Sequence, residues 1–244
     1  MSIRLSYHPF AVEAVLEETV VLSFALPKEK LTPLVPEPLV LETWKDAWGF
    51  ITLAFVKTSK LRPALFPSFL GNNFNLIGFR IFVDHVSLEQ KRKRGLYIIR
   101  SYTDRKKMEI LGSIFTSYKY QTIDINFSKR ENHCTIQSKE IGIDISYTKD
   151  AATVPLPKGS PFNNWTEARR FAGPLPFTFS VFPERKELLI VQGNREDWHP
   201  QSIEIHHCSI DLLKSPPFEG AILANAFTIQ NIPYRWEKGR VEKW

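Results

Sequence analysis

The sequence predicts an α+β fold, mostly antiparallel β, with a few peripheral helices in a single domain over residues 1–244. Three observations carry that prediction. Apolar, β-branched runs follow one another quickly between residues 74 and 148, parted by short polar segments, which is the signature of an antiparallel meander. Stretches with helix start and stop signals are few and short. Nothing divides the chain: no internal repeat, low-complexity tract or clean linker is visible, and 43% apolar residues supply a sizeable core.

Taken in chain order, residues 11–18 (AVEAVLEE) read as a short helix, and TVVLSFAL (19–26), apolar on both faces, reads as a buried strand. Residues 27–34 (PKEKLTPL) predict a second short helix, with Pro27 in the first turn and Pro33 and Pro36 ending it. LVLETW is a strand and KDA the hairpin turn after it. WGFITLAFVKT (48–58) is a long strand; Trp48, Phe50, Thr52, Ala54 and Val56 form one face, and Gly49, Ile51, Leu53 and Phe55 the other. Both faces are apolar, as in a central strand. Residues 59–73 carry prolines and small polar residues and predict an irregular loop.

Strands are expected at 74–86, 95–103, 113–127 and 134–148, the last with room for a break. EQKRKRG (89–95) reads as a solvated, charged hairpin turn rather than a localisation signal. A proline-rich connector spans 149–163. NWTEARRFAG then has helix punctuation at both ends: Asn164 as cap, Glu167 three residues later, and Gly173 past the last turn. TFSVFP, ELLIVQG, SIEIHHCSIDLL and AILANAFTIQ complete the β-rich pattern.

Composition narrows the function classes. The excess of 32 Lys+Arg over 26 Asp+Glu, +6 in all, is mild; it suits an anionic ligand and serves solubility equally well. The basic residues alternate with acids and lack an aromatic stacking pattern, so no nucleic-acid partner is expected. No apolar run approaches the roughly 20 residues of a membrane span, and Glu13, Glu17 and Glu18 interrupt any signal-peptide core. Two cysteines without paired spacing predict a reduced, cytoplasmic setting. Walker, Rossmann and G-x-S-x-G signatures are absent, so no cofactor is expected. His206, His207 and Cys208 look metal-like, but alternation turns His207 away and no second cluster supplies ligands, so no metal is expected.

Two residues stand out chemically. In GSIFTSYKYQTIDI (112–125), alternation puts Lys119 on one face with Gln121, Ile123 and Ile125. If the isoleucines point inward, the amine is desolvated, its neutral form is favoured, and it can attack a carbonyl. Arg80 or Arg100 could depress it further from neighbouring strands. The other reading is a lysine at a barrel mouth that snorkels to water, and the residues alone favour it. Arg80 shares an apolar face with Leu76, Gly78 and Phe82, and it needs either Asp84 or an anionic ligand. Trp198, His199 and Pro200, just before a strand, read as a pocket lip or as loop packing.

Several stretches are similar, in order and over nearly the whole chain, to one family. EKLTPLVPEPLVLETWKDAWGFITLAFVKTSKLRP, GLYIIRSYTD, IFTSYKYQTI, WTEARRF and DWHPQSIEI resemble its successive motifs. The chain thus resembles the YqjF-like uncharacterised branch of the acetoacetate-decarboxylase-like superfamily. That resemblance implies a β-cone or barrel around one central cavity, with peripheral helices. It lays Lys119 on the Schiff-base lysine and Tyr118 on the proline before it. Two departures follow. Tyr120 stands where a second lysine perturbs the first, and Leu76 stands where an inward glutamate is expected. Both count against decarboxylation.

The resulting expectation is a cavity protein that acts on or binds a small keto acid or carboxylate. The alternative is a non-catalytic module that kept the cavity and lost the chemistry. Lys119 is the catalytic candidate of a decarboxylase-like lyase, and Arg80, Tyr118 and Arg100 are the substrate-binding candidates. A small molecule is the expected partner, without membrane association, and a homo-oligomer is expected by analogy. An interaction-only protein, suggested by the abundant aromatics, is the third reading.

Overall fold

The computed structural model describes residues 4–87, 90–149, 154–173, 175–196 and 198–244. Its strands are β1 (Val12–Pro27), β2 (Val40–Leu41), β3 (Trp48–Pro63), β4 (Asn72–Val86), β5 (Arg92–Thr103), β6 (Gln121–Thr122), β7 (Asn126–Arg130), β8 (His133–Ser138), β9 (Ile143–Thr148), β10 (Phe177–Phe182), β11 (Glu187–Arg195), β12 (Gln201–Ser202), β13 (Glu204–Ile210), β14 (Ile222–Trp236) and β15 (Arg240–Lys243). Among the described residues three short α-helices accompany them: α1 (Lys28–Leu31), α2 (Lys106–Phe115) and α3 (Trp165–Phe171).

Most strands form one large sheet. Its path runs β14–β1–β3–β4–β5–β10–β11, and β11 pairs with β14 again through Gly193–Arg195, so seven strands make a ring. Nearly all neighbours are antiparallel; β5 pairs in parallel with β10 and with β6. A second sheet, β13–β9–β8–β7, is fully antiparallel.

The central strands read as apolar on both faces because both faces are covered. Val20, Leu22, Leu53, Phe55, Ile77 and Phe79 point outward from the ring and pack with Ile136, Ile145 and Tyr147 of the second sheet. Fully burying each such side chain stabilises the fold by about 1.5–3 kcal/mol. Thr19, Val21, Thr52, Ala54, Val56 and Gly78 alternate with them and face the interior of the ring. One end of that interior is closed by an aromatic cluster of Phe50, Phe82, Phe162 and Phe171, the last on α3.

Local chemistry matches sequence where it is strongest. Lys45 and Asp46 both adopt positive φ, 52° and 53°, in the turn between Trp44 and Trp48. The Asn164 side chain accepts from Glu167 N at 2.9 Å and caps α3, and Gly173 follows its C-terminal end. The 134–148 segment does break, into β8 and β9. The charged turn expected at 89–95 is shorter, since β5 starts at Arg92; its residue 89 and residues 150–153 of the 149–163 connector lie outside the described residues.

Four expectations are corrected. Residues 12–18 are strand, not helix: their acids serve partners across β1, Glu13 with Arg62 and Arg235, Glu17 with Lys57, and buried Glu18 with Lys149. Acids four apart mimic a helical face here. The loop expected at 59–73 is shorter, since β3 runs on to Pro63 and β4 starts at Asn72. LVLETW contributes only the two residues of β2. The strand expected at 113–127 is instead the end of α2, an irregular segment at 116–120, β6, and the start of β7. AILANAFTIQ, by contrast, extends into the 15-residue β14.

Candidate functional site

The ring encloses a cavity of about 900 Å3, within the range of about 300–1,000 Å3 typical of small-molecule sites. Its wall is mostly apolar. Among the described lining residues the charged or titratable groups are His8, four arginines and three tyrosines; none is an acid and none a lysine.

Arg80 reaches the cavity from β4. It lies opposite Thr52 of β3 and Ile98 of β5, beside a register shift at Phe79/Arg80. Its guanidinium folds back over Gly78: a Cβ there would stand 3.2 Å from Nε and 3.4 Å from Nη2. Gly78 is flanked by Ala54 and Ser101, so small residues make the seat. The buried Nε has no hydrogen-bond partner. Asp84, the expected partner, pairs with Arg92 instead.

Tyr118 and Tyr120 enter from the segment after α2. Tyr120 lies over Gly112, where a Cβ would come within 2.3 Å of the ring. Glu109 of α2 fastens the segment: its Oε2 accepts from Thr122 N at 2.8 Å and from the Thr122 hydroxyl. Lys106 and Thr122 hold that carboxyl down to about 2. The Tyr118 hydroxyl is buried, and the Thr178 side chain is the one described polar neighbour close enough to interact with it as a hydrogen-bond partner. Burial pushes both phenols up, Tyr120 to about 12, while Arg80 pulls each back. His8, at φ 49°, stacks obliquely on Tyr118 at 5.1 Å, and burial depresses its imidazole to about 4. On the far side, Arg195 lies 4.0 Å from the Trp198 ring centroid and 6.0 Å from that of Tyr234.

The structure separates the sequence candidates. Arg80 and Tyr118 meet at one wall. Lys119 does not join them: it is exposed and has φ 50°. Its expected inward position is corrected for a geometric reason. Ile123 and Ile125 are indeed buried, but in the core between the sheets and not at the cavity, and the irregular, left-handed backbone at Lys119 does not continue strand alternation back to it. Tyr118 and Tyr120 take the inward places. Arg100 pairs with Phe79, on the outer parity of β5, and is exposed; its Nη1 lies 3.4 Å from Tyr102 Oη. Arg100 and Lys119 therefore stand apart from Arg80.

Of the Trp198–Pro200 stretch, Trp198 lines the cavity while packing on Phe227, and His199 and Pro200 are not among its lining residues. His206 stacks on His133, and no three metal-ligating groups converge among the described residues. His8, Arg195 and Tyr234 were not singled out, because they converge from distant parts of the chain and carry no local pattern.

Comparison with solved structures agrees with this architecture. An acetoacetate decarboxylase-like enzyme from Sphingomonas wittichii RW1 aligns with TM-score 0.57 at 13% identity, over 96% of this chain and 94% of that one. Acetoacetate decarboxylase from Legionella pneumophila aligns with TM-score 0.59 at 10% identity, over 95% and 86%. The enduracididine biosynthesis enzyme MppR aligns with TM-score 0.53 at 11% identity, over 96% and 87%. At such identities the likeness shows the fold alone. No curated protein matches the chain. The model of DUF2071, a family of uncharacterized conserved proteins, matches residues 13–229; the chain belongs to that family, and its fold is that of the acetoacetate decarboxylase-like proteins.

Proposed function

We propose that the chain binds a small organic carboxylate, keto acids included, noncovalently in the central cavity, with Arg80 as the anion anchor and Tyr118 as a second donor. One observation carries the reading: a guanidinium without a carboxylate partner beside a buried phenol, in a cavity with no acid on its described wall. Arginine suits a carboxylate because its planar fork donates two parallel hydrogen bonds. The volume and apolar lining fit a ligand with a hydrocarbon body. The amine that Schiff-base chemistry needs is exposed at Lys119, and Leu76 lines the cavity where a glutamate would supply acid–base work. Binding without covalent chemistry is therefore the reading we adopt.

The same proposal takes residues 1–244 as one domain in a cytoplasmic homo-oligomer, without nucleic-acid or membrane partners. Both cysteines are free, and no helix among the described residues is long and apolar enough to cross a membrane.

Calorimetric titration with hexanoate and 2-oxohexanoate tests the reading. Arg80→Met is expected to weaken both by about tenfold or more, the usual loss for a charged hydrogen bond. Equal affinity in the variant would overturn it. Borohydride added with the keto acid is expected to leave the protein mass unchanged; a reduced lysine adduct would replace the noncovalent reading with a covalent one.

A further inference from the structure

Four arginines line the cavity, and they fall into two kinds. Arg62 and Arg235 are satisfied: Arg62 Nη2 lies 3.1 Å and Arg235 Nη1 2.7 Å from the Glu13 carboxylate, and Arg235 Nε lies 3.0 Å from Glu237. Arg80 and Arg195 have no carboxylate partner among the described residues. Arg195 is instead held by aromatic faces, Trp198 at 4.0 Å and Tyr234 at 6.0 Å.

The position of Arg195 is built rather than incidental. Arg195 and Tyr234 pair across β11 and β14, where those strands close the ring. The Tyr234 hydroxyl sits on Gly193, where a Cβ would stand 1.9 Å away, so only glycine leaves room for it. Trp198 fixes the guanidinium plane from one side. Stacking on aromatics orients a guanidinium without consuming its rim donors; here the Tyr234 side chain engages one of them, and no acid among the described residues engages the rest. Burial pushes this guanidinium below its ordinary value, as expected of a cation withdrawn from water without a counter-charge.

The two unmatched cations stand on β4 and β11, three steps apart around the seven-strand ring, the widest separation such a ring allows. Tyr118 lies within electrostatic reach of both Arg80 and Tyr234, and Tyr234 adjoins Arg195. Tyr118 accompanies Arg80, and Tyr234 accompanies Arg195 across the β11–β14 pairing. Two guanidiniums on separate parts of the wall, each with its own phenol, suit two separate anionic groups, not two oxygens of one.

Building on the carboxylate-binding reading above, we infer that the ligand is a dianion, an α,ω-dicarboxylate with an apolar spacer, whose second carboxylate is received by Arg195 beside Trp198 and Tyr234. This makes Arg195 the residue that selects dicarboxylates over monocarboxylates of the same length.

Calorimetric titration of the full chain with straight-chain α,ω-dicarboxylates of four to ten carbons, each against its monocarboxylate, tests the inference. At least one dicarboxylate is expected to bind about ten- to a hundredfold tighter than its monocarboxylate. In Arg195→Met that ratio collapses to within about twofold, and Arg195→Lys, which keeps charge without the planar fork, gives an intermediate ratio. Monocarboxylates that bind as tightly as every dicarboxylate, with Arg80 dependence intact, would overturn this inference and leave the carboxylate reading standing. A ratio unchanged in Arg195→Met would overturn it too, assigning Arg195 to wall packing alone. If neither class binds, both readings fall. Should Arg195→Met not fold, the wild-type ratio and the Arg195→Lys ratio still decide.

Discussion

Replacing Arg80 with methionine should make the empty protein more stable. Its Nε is buried without a partner, and a buried donor left unsatisfied costs about 1–3 kcal/mol. Methionine keeps the length of the stem, brings no donor, and fits beside Gly78, Phe82 and Leu76 on an apolar wall. The expected gain is therefore about 1–3 kcal/mol. For a chain of this size each kcal/mol moves the melting temperature by about 2–4 °C, so the rise is about 2–12 °C. Urea unfolding and calorimetric melting of ligand-free protein measure it, with matched urea m-values showing that the unfolded reference is unchanged. A gain in stability together with lost carboxylate affinity is the mark of a group kept for its ligand. A variant that melts lower than wild type would refute the reasoning, because it would mean that the guanidinium is anchored within the fold.

Two further outcomes follow from the same geometry. His8 titrates at about 4 in the fold against about 6.5 when unfolded, so the neutral ring is the native form. The stability it contributes is complete above about pH 6.5 and is lost as pH falls towards 4, by up to about 3 kcal/mol. Urea melts across that window should show a shallower pH slope in His8→Gln than in wild type, and identical slopes would contradict the burial argument. Lys119→Gly should raise stability by about 0.5–1 kcal/mol, because glycine adopts the left-handed conformation that a side chain resists. Carboxylate affinity should be untouched, whereas a loss of binding would return Lys119 to the site.

The legibility of this fold in its sequence follows the strength of local signals. Strands β1, β3 and β4 announce themselves because both of their faces are buried, one in the inter-sheet core and one against the cavity. The Lys45–Asp46 turn and the Asn164 cap are written in single residues with one physical use. Other elements depend on partners far away in sequence. Residues 12–18 imitate a helix because Glu13 and Glu17 are spaced by four, yet each answers a cation on another strand. Helix α2 tolerates Gly112 because Tyr120 fills the space a side chain would take.

The site divides in the same way. Arg80 was readable because β4 is regular and alternation carries it inward. Lys119 escapes the pattern because 116–120 is irregular rather than strand and Ile123 and Ile125 face the core between the sheets, and nothing in FTSYKYQ signals positive φ at a lysine. The inward positions belong to its two tyrosine neighbours. Arg195 and Tyr234 become partners only when β11 and β14 close the ring, a long-range event with no trace in spacing.

The central claim is that Arg80 fixes a carboxylate inside the cavity. The most direct measurement is a crystal structure of the protein soaked with an ω-bromoalkanoate, collected at the bromine edge. The account predicts one anomalous peak within the cavity, with the carboxylate paired to the two terminal nitrogens of Arg80 and the bromine among the apolar wall residues. A peak confined to the outer surface near Lys119 or Arg100, or a cavity without ligand density at saturating concentration, would contradict it.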